Sequence, residues 1–419
     1  MSKSIKQIYV SIELGENDLK LLVAEYYNTR FNILKVERAT TSAISDFKVI
    51  NKKQLSSDIN ALVSNASNSL GAIIEKVILV LPAYNFKRVS LKSKVIPESG
   101  YVSKNDIARA ISNSLSSQVD NDVITVNSFI SKYYINGLST RRMPDKEACN
   151  ELIVDIDLLC ADRNMIIDYI SCVESAGIKV LDIVMNTYAI AKEASLIEES
   201  LKDNIILLNI DRPCTYLTLM CDGRFVTSDI IFEGINNIVN DVLKKYPIAK
   251  EDAIKLVKYD VNYNKDNLDD VVYAYNDSNS TRSITRQEIN EACALNIDNL
   301  VDKLITMCKP IIEKGAILFV TGEGLQINSL VNSIKNRCDC IVKTYYPDTI
   351  GARDPSLSAI YGSLFVYRDK VLLNNLNVNC IDLLQYESII DQKELDSEGE
   401  TITTKIKNLF KQYVEREGK

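Results

Sequence analysis

Apolar positions near the start of the chain follow first the two-residue period of strands and then the wider spacing of a helix. Short polar turns such as Tyr27-Asn28-Thr29-Arg30 separate the strand-like runs, which predicts an antiparallel meander. Leu55, Ile59 and Leu62 then recur at helical spacing, and a fully apolar run follows them. The predicted order is three strands, a helix and a buried strand, at 8–14, 19–26, 31–38, 53–70 and 77–81.

The same order of elements returns in the second half of the chain. Asp222-Gly223 predicts a tight hairpin turn between two of its strands, because Asp-Gly tolerates positive φ. Two copies of one mixed α/β unit, each with its own insertion, predict an actin-like, two-lobed fold built from a duplicated ribonuclease-H-like unit. The elements of the second copy are predicted at 205–209, 217–221, 224–231, 234–245, 316–321 and 326–336.

The duplication divides the chain into predicted subdomains. An inserted α/β subdomain interrupts the first copy and a mostly helical insertion interrupts the second, where the polar stretch 260–283 is expected to be an irregular excursion. An acidic linker and a terminal helix follow. The predicted divisions are a first ribonuclease-H-like subdomain (1–83, 176–203 and 351–390), an insertion (84–175), a second such subdomain (204–231 and 311–350), a helical insertion (232–310), a linker (391–400) and a terminal helix (401–419).

Composition narrows the possible chemistry. The chain has no histidine, which excludes Ser/His and Cys/His catalysis and His-ligated metals. Its ten cysteines are scattered, and only Cys338 and Cys340 lie close together, at a spacing too tight for a zinc knuckle, so no metal site is expected. A net charge of −7 argues against nucleic-acid binding. The absence of a long apolar run predicts a cytoplasmic protein without a membrane span.

Four segments resemble conserved loops of the bacterial cell-division protein FtsA and its family. The first, SIELGENDLKLLV at 11–23, is similar to the first phosphate loop of actin-like ATPases. The resemblance extends over nearly the whole chain and includes the insertion in the first copy, which in FtsA-like proteins replaces the insertion found in actin. The other three segments are LLNIDRPCTYLTL at 207–219, FVTGEGLQINSL at 319–330 and DPSLSAIYGSLFV at 354–366.

The resemblance also implies a nucleotide site, but its loops are degenerate. Glu13 stands where the family carries the Asp that organises Mg²⁺, and Glu16 would place a carboxylate against phosphate. Pro213 removes a backbone donor from the second loop. One interpretation keeps ATP and Mg²⁺ with altered ligands; the other, which we favour, has no catalytic residue, no ATPase activity and no cofactor. The degenerate nucleotide-binding candidates are Glu13, Gly15, Lys20, Asn209, Thr215, Gly322 and Gly324.

The last segment, TITTKIKNLFKQYVEREGK, predicts a basic amphipathic helix. Five basic residues against two acidic ones give it a net charge of +3, behind a linker that carries five acidic residues and one lysine. Such a helix suits the surface of an anionic membrane. A helix that docks on the protein's own core or on a partner is the alternative. The predicted membrane-binding residues are Ile402, Lys405, Ile406, Leu409, Phe410, Lys411, Tyr413 and Val414.

These features favour a membrane anchor for a cytoskeletal filament. By the resemblance to FtsA, the partner would be the C-terminal tail of the tubulin-like protein FtsZ, docked on the helical insertion, and the anchor would self-associate at the cytoplasmic face of the division site. Two alternatives are an active actin-like ATPase or kinase and a pilus-assembly scaffold of the same fold. The candidate partner-binding residues are Lys244, Lys245, Arg282 and Arg286.

Overall fold

The computed structural model describes residues 7–16, 18–117, 119–265, 267–277, 280–383 and 385–386. The predicted linker at 391–400 and the predicted terminal helix at 401–419 lie outside the described residues.

The first lobe begins with the predicted meander. Strands β1 and β2 pair antiparallel, and β6 joins β1 in parallel after the chain has crossed over through α1. The Asn51 side chain accepts the Gln54 N–H at 3.1 Å and so caps the start of α1, and Gly71 ends the helix at φ 74°. The elements are β1 (Gln7–Leu14), β2 (Asp18–Tyr27), β3 (Arg30–Thr40), β4 (Ile44–Ser45), β5 (Lys48–Val49), α1 (Lys52–Leu70) and β6 (Lys76–Leu81).

The insertion in the first lobe is a four-stranded sheet with the order β7-β10-β8-β9. Alternation along β10 sends Val154, Ile156 and Leu158 into a core of its own. Asp155 and Asp157 therefore lie on the opposite face of the strand, and both are buried. The elements are β7 (Lys87–Val95), α2 (Lys104–Leu115), β8 (Val123–Ile135), β9 (Leu138–Thr140), β10 (Leu152–Asp162) and α3 (Arg163–Ser175).

The chain then returns to the first lobe. Helix α3 falls inside the predicted insertion 84–175, but its apolar residues Met165, Ile166 and Tyr169 belong to the core of the first lobe. The strand that follows pairs with β6 in parallel and completes a five-stranded sheet in the order β11-β6-β1-β2-β3. The elements are β11 (Lys179–Met185), α4 (Asn186–Glu193) and α5 (Leu196–Glu199).

The second lobe repeats the first in topology. Strands β12 and β13 pair antiparallel, and β17 joins β12 in parallel, as β6 joins β1. The sheet order is β14-β13-β12-β17-β18. The elements are β12 (Asn204–Ile210), β13 (Thr215–Cys221), β14 (Arg224–Ile231), α6 (Ile235–Lys245), α7 (Lys250–Tyr259), β15 (Val271–Asp277), β16 (Ser280–Thr285), α8 (Arg286–Ile312), β17 (Ala316–Thr321), α9 (Asn328–Arg337) and β18 (Val342–Thr344). The helix that follows, α10 (Ser358–Asn374), packs on the first lobe.

One region of the second lobe differs from the sequence-based expectation. Within the stretch 260–283, expected to be irregular, the chain forms the antiparallel hairpin β15–β16. The Tyr273 hydroxyl donates a 2.6 Å hydrogen bond to Asp252 of α7, which fixes the hairpin on the helical insertion. The run VVYAY at 271–275 is rich in strand-forming residues, but the acidic and Asn-rich segments on both sides of it favoured an irregular conformation.

The end of the described chain returns to the first lobe. Helix α10 crosses α4 so closely that a Cβ on Gly362 would lie 2.3 Å from the Ala189 carbonyl oxygen. Beyond α10, Asn379 Oδ1 accepts the Ile8 N–H at 2.8 Å, and the Cys380 N–H donates to the Ile8 carbonyl at 2.9 Å. On its other side, the Cys380 carbonyl accepts the Glu75 N–H at 2.9 Å. This return segment joins the starts of β1 and β6.

In the part of the chain that the structure describes, no helix combines the length and the apolar character needed to cross a bilayer.

Candidate functional site in the cleft between the lobes

A narrow cleft separates the two lobes at the point where their equivalent hairpins turn. The β1–β2 turn of the first lobe faces the β12–β13 turn of the second. The cavity between them has a volume of about 30 Å³. It is lined by Glu13, Leu14, Gly15, Glu16, Asp18, Lys20, Phe47, Pro82, Asn186, Asp211, Arg212, Pro213, Tyr216 and Glu323.

The first turn holds a buried lysine between carboxylates. Lys20 Nζ lies 3.2 Å from Glu13 Oε2 and 3.8 Å from Asp18 Oδ2. Burial lowers the pKa of Lys20, but the charges of Glu13 and Asp18 outweigh burial and raise that pKa above its usual value. Burial raises the pKa of Glu13, and Lys20 offsets part of this shift. The Gly15 N–H donates to the Asp18 carbonyl at 3.0 Å, so this turn uses its own amide.

Glu16 binds a neighbouring turn of the same lobe. Its carboxylate accepts the Asp46 N–H at 3.0 Å, where the β4–β5 hairpin reverses with both Asp46 and Phe47 at positive φ. Burial raises the pKa of Glu16, and these backbone hydrogen bonds offset part of the rise. The hairpin places the buried Phe47 ring 5.3 Å from Tyr84 and 6.4 Å from Tyr216 of the second lobe. Phe47 therefore closes the first-lobe side of the cleft.

The second turn uses a different charge arrangement. Arg212 forms two parallel hydrogen bonds of 2.8 Å with the carboxylate of Glu323, and Lys258 of α7 pairs with the same carboxylate. Burial would raise the pKa of Glu323, but Arg212 and Lys258 hold it at about 2. Two cations of this lobe thus share one internal anion.

Among the residues that the structure describes, no cation is in direct contact with Asp211, the carboxylate of the second turn. Its Oδ2 accepts a 2.8 Å hydrogen bond from Asn209. Burial raises the pKa of Asp211 to about 7; Lys20 opposes the rise, and Glu13 adds to it. Near neutral pH, Asp211 therefore exists in both its protonated and its ionised form.

The structure divides the predicted nucleotide-binding residues into two groups. Glu13, Gly15 and Lys20 line the cavity. The other four pack within the second lobe: Thr215 donates to the Glu233 carbonyl at 2.9 Å, and Gly322 and Gly324 lie against Ile210. A Cβ on Gly322 would lie 2.4 Å from Asn209 Oδ1, so close packing of the lobe's own loops accounts for this glycine.

Sequence reasoning missed Lys258 and Phe47 as members of the site. Lys258 lies 65 residues before Glu323, on a helix of the insertion, and no local pattern links the two. Phe47 had a weak signal, since Asp46 precedes it in a short polar stretch that is typical of turns.

The residues of the cleft do not fit a nucleotide with its Mg²⁺. Pockets for ligands of that size typically have volumes of about 300–1,000 Å³, at least about ten times the volume found here. The backbone N–H of Gly15 is already used, Pro213 has none, and Arg212 and Lys20 are neutralised by carboxylates. Chemically, the arrangement stabilises the two turns in their present conformations.

The candidate partner-binding residues do not all share one surface. Lys244 pairs with Asp241 at 3.1 Å and stays exposed, Lys245 lies over the Tyr246 ring, and Arg282 is exposed. Arg286 is buried instead: it donates to the Asp260 carbonyl at 3.0 Å, at the C-terminal end of α7. That helix end attracts cations, so Arg286 faces inwards and we leave it out of any docking surface. The predicted membrane-binding residues Ile402 to Val414 lie outside the described residues.

Comparison with known sequences places the chain near cell-division proteins. No family model matches it. It is 20% identical over 360 residues to cell division protein FtsA of Bacillus subtilis, and this alignment covers 83% of this chain and 81% of the relative. It is also 20% identical over 439 residues to cell division protein FtsA of Enterococcus hirae, and this alignment covers 96% of this chain and 98% of the relative. The resemblance to FtsA that the four segments indicated is therefore confirmed.

Comparison with solved structures identifies the fold. The PilM–PilN type IV pilus biogenesis complex matches with a TM-score of 0.57 and 11% identity, covering 86% of this chain and 98% of the other. MreB5 of Spiroplasma citri bound to ADP matches with a TM-score of 0.52 and 13% identity, and the match covers 88% of this chain and 99% of the other. The fold is actin-like, as the repeated unit predicted.

Proposed function

We propose that this chain, an actin-like protein similar to FtsA, is a cell-division scaffold that tethers FtsZ filaments to the inner face of the cytoplasmic membrane and helps to assemble the division ring. The observation that carries the proposal is the similarity to proteins named cell division protein FtsA, which extends over 96% of the chain for one of them. That span includes both insertions and not only the shared actin-like core.

The proposed membrane contact is the basic amphipathic segment 401–419. Ile402, Ile406, Leu409, Phe410, Tyr413 and Val414 fall on one stripe at 3.6-residue spacing, with Lys405 and Lys411 beside it. The apolar stripe would enter the acyl boundary while the lysines meet anionic headgroups. The protein would then be peripheral, at the cytoplasmic face of the division site.

One such helix binds a membrane weakly and reversibly. Several copies linked in a filament bind far more strongly, because each further contact is intramolecular. This supports self-association of the chain as part of the proposed function, through its own contacts or along an FtsZ filament.

The proposed docking region for the FtsZ tail is the helical insertion 232–310. Lys244, Lys245 and Arg282 are its exposed basic candidates. Their charge suits an acidic peptide, although Lys244 must then exchange its contact with Asp241.

We also propose that the chain does not hydrolyse ATP. The support is the cleft, where Arg212 and Lys258 pair with Glu323, and Lys20 pairs with Glu13. A titration with millimolar ATP and Mg²⁺ tests this directly. Saturable binding with turnover would overturn it and favour an active actin-like ATPase or kinase.

Co-sedimentation with anionic liposomes tests the tether. The full chain should pellet with vesicles, whereas a chain ending at Asp396 and the variant Phe410→Glu should stay in the supernatant. The matched control is Asn408→Glu, which makes the same charge change on the opposite face of the predicted helix and should still pellet. Equal pelleting of the full chain and the truncated chain would refute the membrane proposal.

A second candidate, a pilus-assembly scaffold, is favoured by the likeness to the PilM–PilN complex. That likeness shows the fold alone. The same liposome assay separates the two, because the pilus candidate gives no reason for residues 401–419 to bind lipid.

A further inference from the structure

The tip of the β13–β14 hairpin reaches from the second lobe to the insertion of the first. Asp222 and Gly223 both adopt left-handed backbone, with φ of 52° and 65°, as a two-residue hairpin turn requires. Arg224 follows at once, as the first residue of β14. The turn chemistry therefore places a guanidinium at the very end of the second lobe's sheet.

The surface that receives this guanidinium carries two buried aspartates. Asp155 and Asp157 are two residues apart on β10, so both point to the same face of the inserted sheet. Arg224 Nη1 lies 3.0 Å from Asp157 Oδ1, and its Nη2 pairs with Asp155. The Ser90 hydroxyl donates a further 2.5 Å hydrogen bond to Asp157. Asp157 has no solvent-exposed surface, so without Arg224 it would be a buried, uncompensated charge.

Two arginine side chains of the insertion also donate hydrogen bonds to the backbone of the same hairpin tip. Arg141 donates to the Asp222 carbonyl at 2.8 Å and to the Gly223 carbonyl at 3.5 Å, and Arg88 donates to the Phe225 carbonyl at 3.4 Å. A Cβ on Gly223 would lie 2.3 Å from Arg141 Nη1, which shows how closely the two parts approach.

We propose that the inserted subdomain is an interlobe clamp, formed by Arg88, Arg141, Asp155, Asp157 and Arg224, that fixes the angle between the lobes independently of any ligand in the cleft. Two-lobed folds open and close about a hinge, and a clamp that bridges both lobes away from the hinge restricts that motion. The direct ion pairs of the cleft cannot substitute for it, because Lys20 pairs within the first lobe and Arg212 pairs within the second.

The clamp also gives the insertion a regulatory role. A partner that binds the insertion and displaces β10 relative to Arg224 would change the angle of the second lobe. The two sites are coupled through a direct ion pair and not through a long chain of packed residues.

Hydrogen–deuterium exchange of the full chain tests the clamp. Arg224→Gln removes the ion pairs, and Arg141→Ala removes an exposed side chain that donates to the turn carbonyls. The control is Arg337→Gln, since Arg337 also pairs with two aspartates, Asp298 and Asp302, but entirely within the second lobe. The exchange of peptides 10–20 and 207–217, which face each other across the cleft, is the measurement.

We expect exchange in both peptides to rise about tenfold in Arg224→Gln and about threefold in Arg141→Ala. Arg337→Gln should speed exchange in α8 and α9 only. If Arg224→Gln speeds exchange everywhere because the fold is destabilised, Arg141→Ala decides: it must open the cleft with an unchanged midpoint of urea unfolding. The clamp proposal would be overturned if a folded Arg141→Ala variant showed the same exchange rate in the two cleft peptides as the parent protein. The liposome assay tests the membrane proposal separately, so the clamp can fail without affecting that proposal.

Discussion

The two turns that face each other across the cleft occupy equivalent positions in the duplicated unit, yet they neutralise their charges in opposite ways. The β1–β2 turn places one cation, Lys20, between the carboxylates of Glu13 and Asp18. The β12–β13 turn is linked to one anion, Glu323, that serves the two cations Arg212 and Lys258.

The difference has a consequence for stability. A carboxylate that loses its partner can take up a proton and become neutral, and burial already raises the pKa of Glu13. A guanidinium cannot lose its proton near neutral pH. The first turn can thus relieve a broken pair by protonation, whereas Arg212 of the second turn has no such relief.

The largest effect is expected from Glu323→Gln, which removes the carboxylate that the half-buried Arg212 and Lys258 share. Breaking a buried pair in this way costs about 3 kcal/mol of unfolding free energy. Urea unfolding followed by circular dichroism at pH 7 measures it. The control is Asp354→Asn, which breaks a half-exposed pair with Arg38 and should cost about 0.5 kcal/mol or less. Similar losses in both variants would contradict the proposed role of Glu323.

Lys20→Met should cost less, about 2 kcal/mol at pH 8, because Glu13 can become protonated in the variant. The loss should shrink further as the pH falls towards 5, since the protonated carboxyl needs no cation. Unfolding curves at pH 5 and pH 8 check this. A loss that is equal at both pH values would mean that the first turn has no relief by protonation and would remove the distinction between the two turns.

Asp211→Asn should stabilise the protein at alkaline pH. In the unfolded chain an aspartate binds its proton only below about pH 4, whereas Asp211 in the fold binds it up to about pH 7. Between these values the folded state holds the extra proton, so the stability of the parent falls as the pH rises through this window.

The variant, neutral throughout, should therefore match the parent near pH 4 and gain on it by up to about 1.4 kcal/mol per pH unit as the pH rises towards 7. The measurement is urea unfolding across pH 4–8, with the parent as reference. Parallel curves for the two proteins would show that Asp211 does not titrate in this range. Because the chain has no histidine, no imidazole titration overlaps the window.

The smallest effect is expected from Glu16→Gln. The amide oxygen can still accept the Asp46 N–H, so the β4–β5 turn and Phe47 should stay in place at a cost of about 0.5 kcal/mol. Glu16→Ala, which removes the acceptor, should cost about 1 kcal/mol more. If both variants lose the same unfolding free energy, the charge of Glu16 matters and its hydrogen bond does not.

Much of the fold could be predicted because its signals are local. The apolar periods gave both meanders with their helices, and Asp222-Gly223 gave the hairpin turn that the structure contains. The degeneracy of the phosphate loops was visible in single residues such as Pro213. Each of these features is decided by neighbours within a few positions in the sequence.

The charge pairs could not be predicted, since they join distant parts of the chain. Arg224 pairs with Asp155, 69 residues before it, and Glu323 with Arg212, 111 residues before it. Charged residues at those positions are equally compatible with solvated surfaces. Glu16 was expected to repel phosphate, but its carboxylate caps a turn that the sequence did not reveal.

The return segment at 379–382 determines how the first lobe would respond to mechanical force. Hydrogen bonds join it to Ile8 on one side and to Glu75 on the other, beside the starts of β1 and β6. A pull applied to the chain beyond these residues would therefore reach the central strands of the lobe before it reached α10. Unfolding under such a force is governed by a rate and not by an equilibrium. The resistance of the first lobe to such a force would then be set by the rupture of a few backbone hydrogen bonds.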